Sequence, residues 1–444
     1  MYDDFGALPC QDGWHVVLGF GAMSSFHIHR SSPAKAATAA DELIRQLFGT
    51  AASRANPYPL YHRLREVAPL HRSELDGVLY LSRYDDCRLV LLDPRCGRRP
   101  GRPAQRFGMA DSQVRLLARR RRQQHSMLMQ NPPEHTRLRG LVSGAFTPQR
   151  IAALEGRIRQ LVHEQLDRMA EADEVDVMRD LAVPVPVTVV GELLGIPPED
   201  ALGFHPLVDT IRQAEQPNAT DDAVAEAERA DQAIDAYFAR LIARRRERPA
   251  DDLLSALVAI RDAGGPLSEE ELTGTVMQFF VAGFVTTTNL IGNGLLALMR
   301  HPAEFARLRG DPGLVPTAVE EMLRYDSPVQ INDRVVLEPT EVAGLPLEPG
   351  DSLTIIMGAA NRDPGRFPDP DRFDVTRGDN QALSFGWGIH HCLGAGLARL
   401  EGHIVFGQLV ERFTAIELLD DEPPRQPGFF LRGLQQLPVR LRNR

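Results

Sequence analysis

The stretch Ser384-Phe385-Gly386-Trp387-Gly388-Ile389-His390-His391-Cys392-Leu393-Gly394 decides how this chain is read. Its glycines mark a turn, and the residues from 393 to 413 read as a helix. A glycine-rich turn therefore runs straight into a helix, with Cys392 at the junction. The free N–H groups and dipole of a helix N-terminus favour thiolate over thiol. Glycines let backbone amides approach the sulfur without side-chain obstruction.

On local grounds Cys392 has three readings. A structural thiol is the plainest. A zinc site with His390 and His391 is the second, although adjacent residues converge poorly on one tetrahedral ion. The third is an axial thiolate for haem iron, where it pushes electron density toward O–O cleavage.

Composition narrows the class. The 444 residues carry 50 Lys+Arg against 60 Asp+Glu, a formal net charge of -10, and are 43% hydrophobic and 25% charged. This ordinary globular usage excludes a disordered, collagen-like or coiled-coil chain. The acidic balance argues against a dedicated nucleic-acid binder. Nearly all positive charge is arginine, Lys35 being the only lysine. Cys10, Cys87, Cys96 and Cys392 include no Cys-x-x-Cys pair, so they fit a reduced, cytoplasmic setting rather than a disulfide framework. The opening Met1-Tyr2-Asp3-Asp4 lacks the basic region and apolar core of a secretory signal.

Residues 1–40 are rich in Gly, Ser, Ala and His without a sustained period. They read as a disordered leader or an over-called start, with Met23 the alternative first residue. Residues 41–444 read as one domain, mainly α with minor β. Asn56-Pro57-Tyr58-Pro59 opens a short helix to Glu66, and 77–82 is a strand. Residues 97–125 form a long Gly-, Pro- and Arg-rich loop, and such loops are usually functional or mobile. Residues 134–262 are mostly helical, 328–357 hold short strands, and 428–442 look like a terminal hairpin. Val276–Met299 has the length of a membrane span. Its Gln278, Thr286, Thr287, Thr288, Asn289 and Asn293 instead favour a central helix in a large core. Ser268 and Glu271 form a capping box at its start.

The spacing Phe-x-x-Gly-x-x-x-Cys-x-Gly at Phe385, Gly388, Cys392 and Gly394 resembles the haem loop of the cytochrome P450 superfamily. The resemblance is closest to its soluble bacterial, ferredoxin-dependent members and covers about residues 55–442. Three further segments resemble the family in the expected order. Glu321 and Arg324 match its Glu-x-x-Arg pair, which a later arginine joins; Phe367-Pro368-Asp369-Pro370-Asp371-Arg372-Phe373 supplies Arg372 for that structural role. His135 and Arg139 match the helix that meets the haem propionates, and Arg334 and His390 sit where the family places two further propionate partners. Ala282-Gly283-Phe284-Val285-Thr286-Thr287 resembles the segment above the haem, with Gly283 giving room for dioxygen and Thr286 helping proton delivery.

The resemblance implies the cytochrome P450 fold, haem b (iron protoporphyrin IX) ligated by Cys392, and a separate ferredoxin and ferredoxin reductase. No nucleic acid or membrane is expected as partner. The implied activity is monooxygenation of an organic small molecule, free or bound to a carrier protein. A tailoring hydroxylation or epoxidation of a natural product is the leading form, with oxidative coupling or desaturation on the same haem as the alternative. A non-catalytic haem-fold partner should have lost the thiolate loop, which this chain keeps. One departure stands out. The family usually has an acid before the threonine, and here Val285 cannot relay protons. Met127, Met129, Phe279, Val285, Val329, Gln330 and Phe430 are the expected pocket residues, with Asn332 a further polar contact. Arg119-Arg120-Arg121-Arg122 is either a solvated face or a receiver for an acidic partner.

Overall fold

The computed structural model describes residues 33–98, 125–214 and 219–443. Cys10, Met23 and the arginine run at 119–122 lie outside the described residues. The chain starts with α1 (Pro33–Gly49), α2 (Tyr58–Val67), β1 (Leu70–Arg72), β2 (Leu79–Leu81), α3 (Tyr84–Leu92) and β3 (Cys96–Gly97). Then come α4 (Glu134–Ser143), α5 (Glu155–Ala170), β4 (Glu174–Asp176), α6 (Pro184–Leu193), α7 (Pro198–Ala214), α8 (Asp221–Glu247) and α9 (Leu253–Asp262). The long α10 (Glu269–Arg300) and α11 (Val315–Tyr325) precede β5 (Asn332–Val336), β6 (Thr340–Val342), β7 (Leu345–Leu347) and β8 (Ser352–Ile355). α12 (Ala395–Arg412), β9 (Phe413–Leu418) and β10 (Pro438–Asn443) complete the fold.

α10 organises the molecule. The Ser268 hydroxyl accepts from Glu271 N–H while the Glu271 carboxylate accepts from Ser268 N–H, so the capping box forms. Its 32 residues span about 48 Å at the usual helical rise. Apolar side chains leave nearly every face of it and are buried, with 78% of its most apolar window covered. A helix hydrophobic all round belongs in a core as well as in a bilayer, and here protein covers it. Helices α4, α6, α7, α8 and α9 share one cluster with its N-terminal half, including Phe204, Phe238, Phe280 and Phe284. α5, α11 and α12 share another with its C-terminal half.

The strands lie to the side, in a five-stranded sheet of order β1-β2-β8-β5-β3, a three-stranded sheet β4-β10-β9 and the pair β6-β7. Two expectations are corrected. Residues 33–40 belong to α1, and Ala40 is fully buried against a cluster holding Tyr58, Tyr61 and Tyr80, so the fold begins before residue 41. Residues 428–442 are not a hairpin. β10 pairs with β9 and β4, while Leu431 and Leu434 make only isolated bridges to Val329 and Arg425. Leu434, Leu437 and Val439 are each fully buried in the helical core, a better partner than each other.

Candidate functional site: a thiol loop beside a buried cationic cradle

The cysteine loop is held by its backbone. Gly386 and Gly388 have φ of 66° and 69°, a region glycine enters without strain. A Cβ at Gly388 would lie 2.5 Å from the Leu91 carbonyl at the end of α3, so no other residue fits. Cys392 N–H donates to Phe385 O at 2.9 Å, closing the turn. The Arg399 guanidinium covers the Phe385 ring at 4.5 Å. Burial pushes the Cys392 thiol up, opposed by the Gly394 N–H and by Arg139 and Arg399. The same residue has an exposed surface. A group surrounded by protein yet open to solvent lines a cavity.

α10 supplies a second open wall. Residues 284–285 and 287–298 are buried, but Ala282 is exposed and Gln278 and Thr286 are partly open, one turn apart along one face. The Thr286 hydroxyl donates to Ala282 O at 3.1 Å. Leu393, next to Cys392, packs into the cluster that holds Phe279, Phe280 and Phe284 of α10, which brings the loop to this helix. Gly283 is corrected in its reason. A Cβ there would lie 2.6 Å from Val190 Cγ2, so the missing side chain admits α6 rather than a ligand.

Four basic residues gather beside the loop. His135 of α4 and His390 of the loop bring their rings to 4.3 Å. Arg98, just past β3, and Arg334 of β5 both donate to the Asp333 carbonyl at 2.9 Å. Burial and the neighbouring cations push His390 down to about 2, and burial lowers Arg98 to about 10. Arg334 falls well below the usual arginine range from burial and from Arg98. His135 Nε2, His390 Nε2 and Arg98 Nε are buried without a hydrogen-bond partner. Buried donors without acceptors are costly, and crowded cations add repulsion. A ligand with buried carboxylates relieves both, so the cradle fits the propionates of a haem.

Sequence reading does not single out Arg98, which opens the Gly-, Pro- and Arg-rich stretch 97–125. It placed Arg139 differently too. Arg139 donates to Ile389 O at 3.0 Å and His391 O at 2.9 Å, bracing the cysteine loop itself. The two loop histidines face different neighbours, His390 toward His135 and His391 toward Phe385 at 6.4 Å. Among the described residues no group of three or more His, Cys, Asp or Glu is placed to hold a metal ion.

The Glu321–Arg324 pair is fully buried, with Arg324 Nε 2.7 Å from Glu321 Oε2. Arg324 also donates to Asn361 O at 2.9 Å and Pro370 O at 2.8 Å. Arg372 is corrected. Its carbonyl, not its guanidinium, meets Arg324, and its side chain is 58% exposed. Arg377 takes the place, 3.2 Å from Glu321 Oε2. The turn at Asp369–Arg372, closed by a 3.0 Å backbone bond, points the Arg372 carbonyl inward and so its side chain outward. Asn361 carries the network on to Ser384, at the start of the cysteine loop.

The expected pocket residues divide. Met129 and Val329 are half-buried and Phe430 is 44% exposed. Phe279 packs on Phe146 at 5.5 Å, and Met127 and Val285 are buried in the same helical cluster. Gln330 is spent on Tyr61 and Ser327 O, and Asn332 on Arg334. Val285, Met127, Gln330 and Asn332 therefore offer little to a substrate.

Comparison with known proteins agrees with this geometry. The family model for cytochrome P450 matches residues 216–311 and 313–441. The chain is 40% identical over 400 residues to the polyketide biosynthesis cytochrome P450 PksS of Bacillus subtilis, covering 87% of this chain and 96% of that protein. It is 40% identical over 397 residues to the cytochrome P450 monooxygenase PikC of Streptomyces venezuelae, covering 87% and 92%. The structure of P450BioI in complex with hexadec-9Z-enoic acid ligated acyl carrier protein superposes with a TM-score of 0.80 at 35% identity, covering 88% of this chain and all of that one. By sequence, by fold and by a site shaped for a haem thiolate, the chain belongs to the cytochrome P450 family of haem-dependent monooxygenases.

Proposed function

We propose that this enzyme hydroxylates or epoxidises a polyketide- or acyl-derived natural product, drawing electrons from a ferredoxin and its reductase in the cytoplasm. The observation that carries the site assignment is the pairing of Cys392, enclosed yet facing open space, with buried basic groups lacking acceptors. Haem bound there supplies dioxygen activation. Cys392 would hold the iron, and the Gly394 N–H, Arg139 and Arg399 partly offset the burial that otherwise favours its neutral thiol. Arg98, His135, Arg334 and His390 hold the propionates by charge-assisted hydrogen bonds. Phe385, Gly388 and Gly394 shape the loop. Thr286 presents a hydroxyl to the open groove, and the exposed Ala282 leaves space one turn away. Met129, Val329 and Phe430 face the substrate. The similarity to PksS, PikC and P450BioI, the last solved with an acyl carrier protein, supports a substrate class that includes carrier-bound acyl chains.

The test is spectroscopic. Reduced holoprotein with carbon monoxide should show the thiolate-type band, and Cys392→Ser should lose it with turnover. A variant that keeps both would remove Cys392 as ligand. Spectral shifts on adding a fatty acid, the same acyl chain on a carrier protein, or a macrolactone rank the substrate classes, and a shift with none of them would reject the class.

A further inference from the structure

α8 turns one face to the core and leaves the other uncovered. Val224, Ala227, Ile234, Phe238 and Leu241 are buried, while Asp222, Glu226, Ala233, Arg240 and Arg244 are all exposed. The exposed five follow at steps of four, seven, seven and four, which keeps them within about 40° of one another around a helix axis. Among the described residues, no hydrogen bond or ion pair engages the side chains of Asp222, Arg240 or Arg244. Glu226 has only Arg229 at 3.9 Å, with both side chains more than 60% exposed, and such a pair adds little.

From its N-terminal end the stripe runs acid, acid, alanine, base, base. Glu226 and Arg240 are each seven residues from Ala233, and Asp222 and Arg244 each eleven. The opposite charges therefore stand about 10 Å and about 16 Å to either side of one point on the axis. The helix dipole accounts for Asp222 in the first turn and Arg244 in the last, but its effect fades within those turns. Glu226 and Arg240 lie beyond it.

We infer that the outer face of α8 pairs with the same face of a second copy of this chain, antiparallel about a two-fold axis at Ala233. Turned end over end, one stripe sets Asp222 opposite Arg244 and Glu226 opposite Arg240, and the two-fold makes each pair twice. A parallel pairing would set acid on acid and base on base. Ala233 and the exposed Ala236 carry only a methyl, so the two backbones can approach closely at the axis. The formal net charge of -10 repels a second copy at long range, and one helix face is a contact of the transient class, below about 1,200 Å². The dimer is therefore weak and reversible. Tyr237 and Phe238 of α8 pack on Phe204 of α7, and Phe204 packs on Phe280 of α10, so the pairing braces these helices from outside.

Sedimentation velocity of the holoprotein over a concentration series tests this. The wild type should move from monomer toward dimer as concentration rises. Arg240→Glu with Arg244→Glu makes the stripe wholly acidic, and Asp222→Arg with Glu226→Arg makes it wholly basic. Each double variant alone should stay monomeric and keep its reduced carbon-monoxide band, and an equimolar mixture should form a heterodimer at least as readily as the wild type pairs with itself. Ala233→Glu leaves the four charges in place but sets two carboxylates together at the axis, and it should also be monomeric. A wild type that stays monomeric throughout overturns the proposal. So does a mixture no more associated than either variant alone, or a dimer that survives all three sets of substitutions.

Discussion

Arg98 shows how much one residue can hide. Its guanidinium lies beside Arg334, His135 and His390; Nε is unpartnered, and among the described residues the Asp333 carbonyl is its acceptor. Two guanidiniums sit here beside two imidazoles whose protonation burial disfavours, a set short of acceptors that two carboxylates would satisfy. Hydrogen bonds to charged groups are worth about 1.5–3 kcal/mol. Arg98→Ala should therefore release haem to an apo-globin acceptor about 10- to 100-fold faster, with the carbon-monoxide band of the remaining holoprotein unchanged. Haem loss at the wild-type rate would remove Arg98 from the cradle. This role is not legible in the sequence because Arg98 opens a basic, glycine- and proline-rich run with no helical or strand period.

At the scale of elements, the segment between β8 and α12 has almost no regular structure, so side chains must fix it. Glu321 and Arg324 of α11 do this from within a single helix turn. Glu321 Oε1 also accepts from Asp374 N–H at 2.9 Å, and Asn380 donates to Oε2 at 3.1 Å. Arg377 adds a second guanidinium to that carboxylate, donating to its Oε1 at 3.3 Å. Removing it leaves a buried carboxylate with one counter-charge, so Arg377→Ala should lower stability by about 1–3 kcal/mol and loosen the cysteine loop. Arg372→Ala should stay within about 0.5 kcal/mol, as exposed substitutions do. Thermal unfolding of the two holoproteins checks the contrast, and the opposite order would return the role to Arg372. The helix pair was legible because spacing alone puts positions three apart on one face. The third arginine was not, because an irregular segment has no period from which to read direction.

At the scale of the whole molecule, one buried carboxylate ties the two ends of the chain to the middle. Asp326 accepts from Tyr58 of α2 at 2.7 Å and from Arg425 at 3.1 Å, and it pairs with Arg432 at 2.5 Å. Arg432 in turn donates to the Arg54 and Ala55 carbonyls. Although burial raises the Asp326 pKa, Arg432, Arg425 and Tyr58 outweigh it and hold the carboxyl well below the usual range. A depressed carboxylate stabilises the fold above its unfolded value, 3.8, and that stability is lost as pH falls from there toward the folded value. Asp326→Asn leaves two buried guanidiniums short of a counter-charge, a change that costs about 3–5 kcal/mol. The variant should unfold at lower temperature near neutral pH and show a flatter decline on acidification. An acid limb with wild-type slope would show that Asp326 carries no such linkage.

The sequence by itself determined the class of fold, the central helix with its cap, the cysteine loop and the basic residues spaced along regular helices. Each of these is written in local spacing, because glycine φ angles, helix periodicity and capping depend on near neighbours. Only the tertiary structure decided that Arg98 joins the cradle, that Arg377 replaces Arg372, that Gly283 serves α6, and that the final strand pairs with β4 and β9 instead of folding back on its own segment. It also showed Glu401 buried in α12, where burial alone lifts its carboxyl to about 8. Burial, the loss of a hydrogen-bond partner and the direction of an irregular backbone are set by residues far apart in the chain, and no local pattern records them.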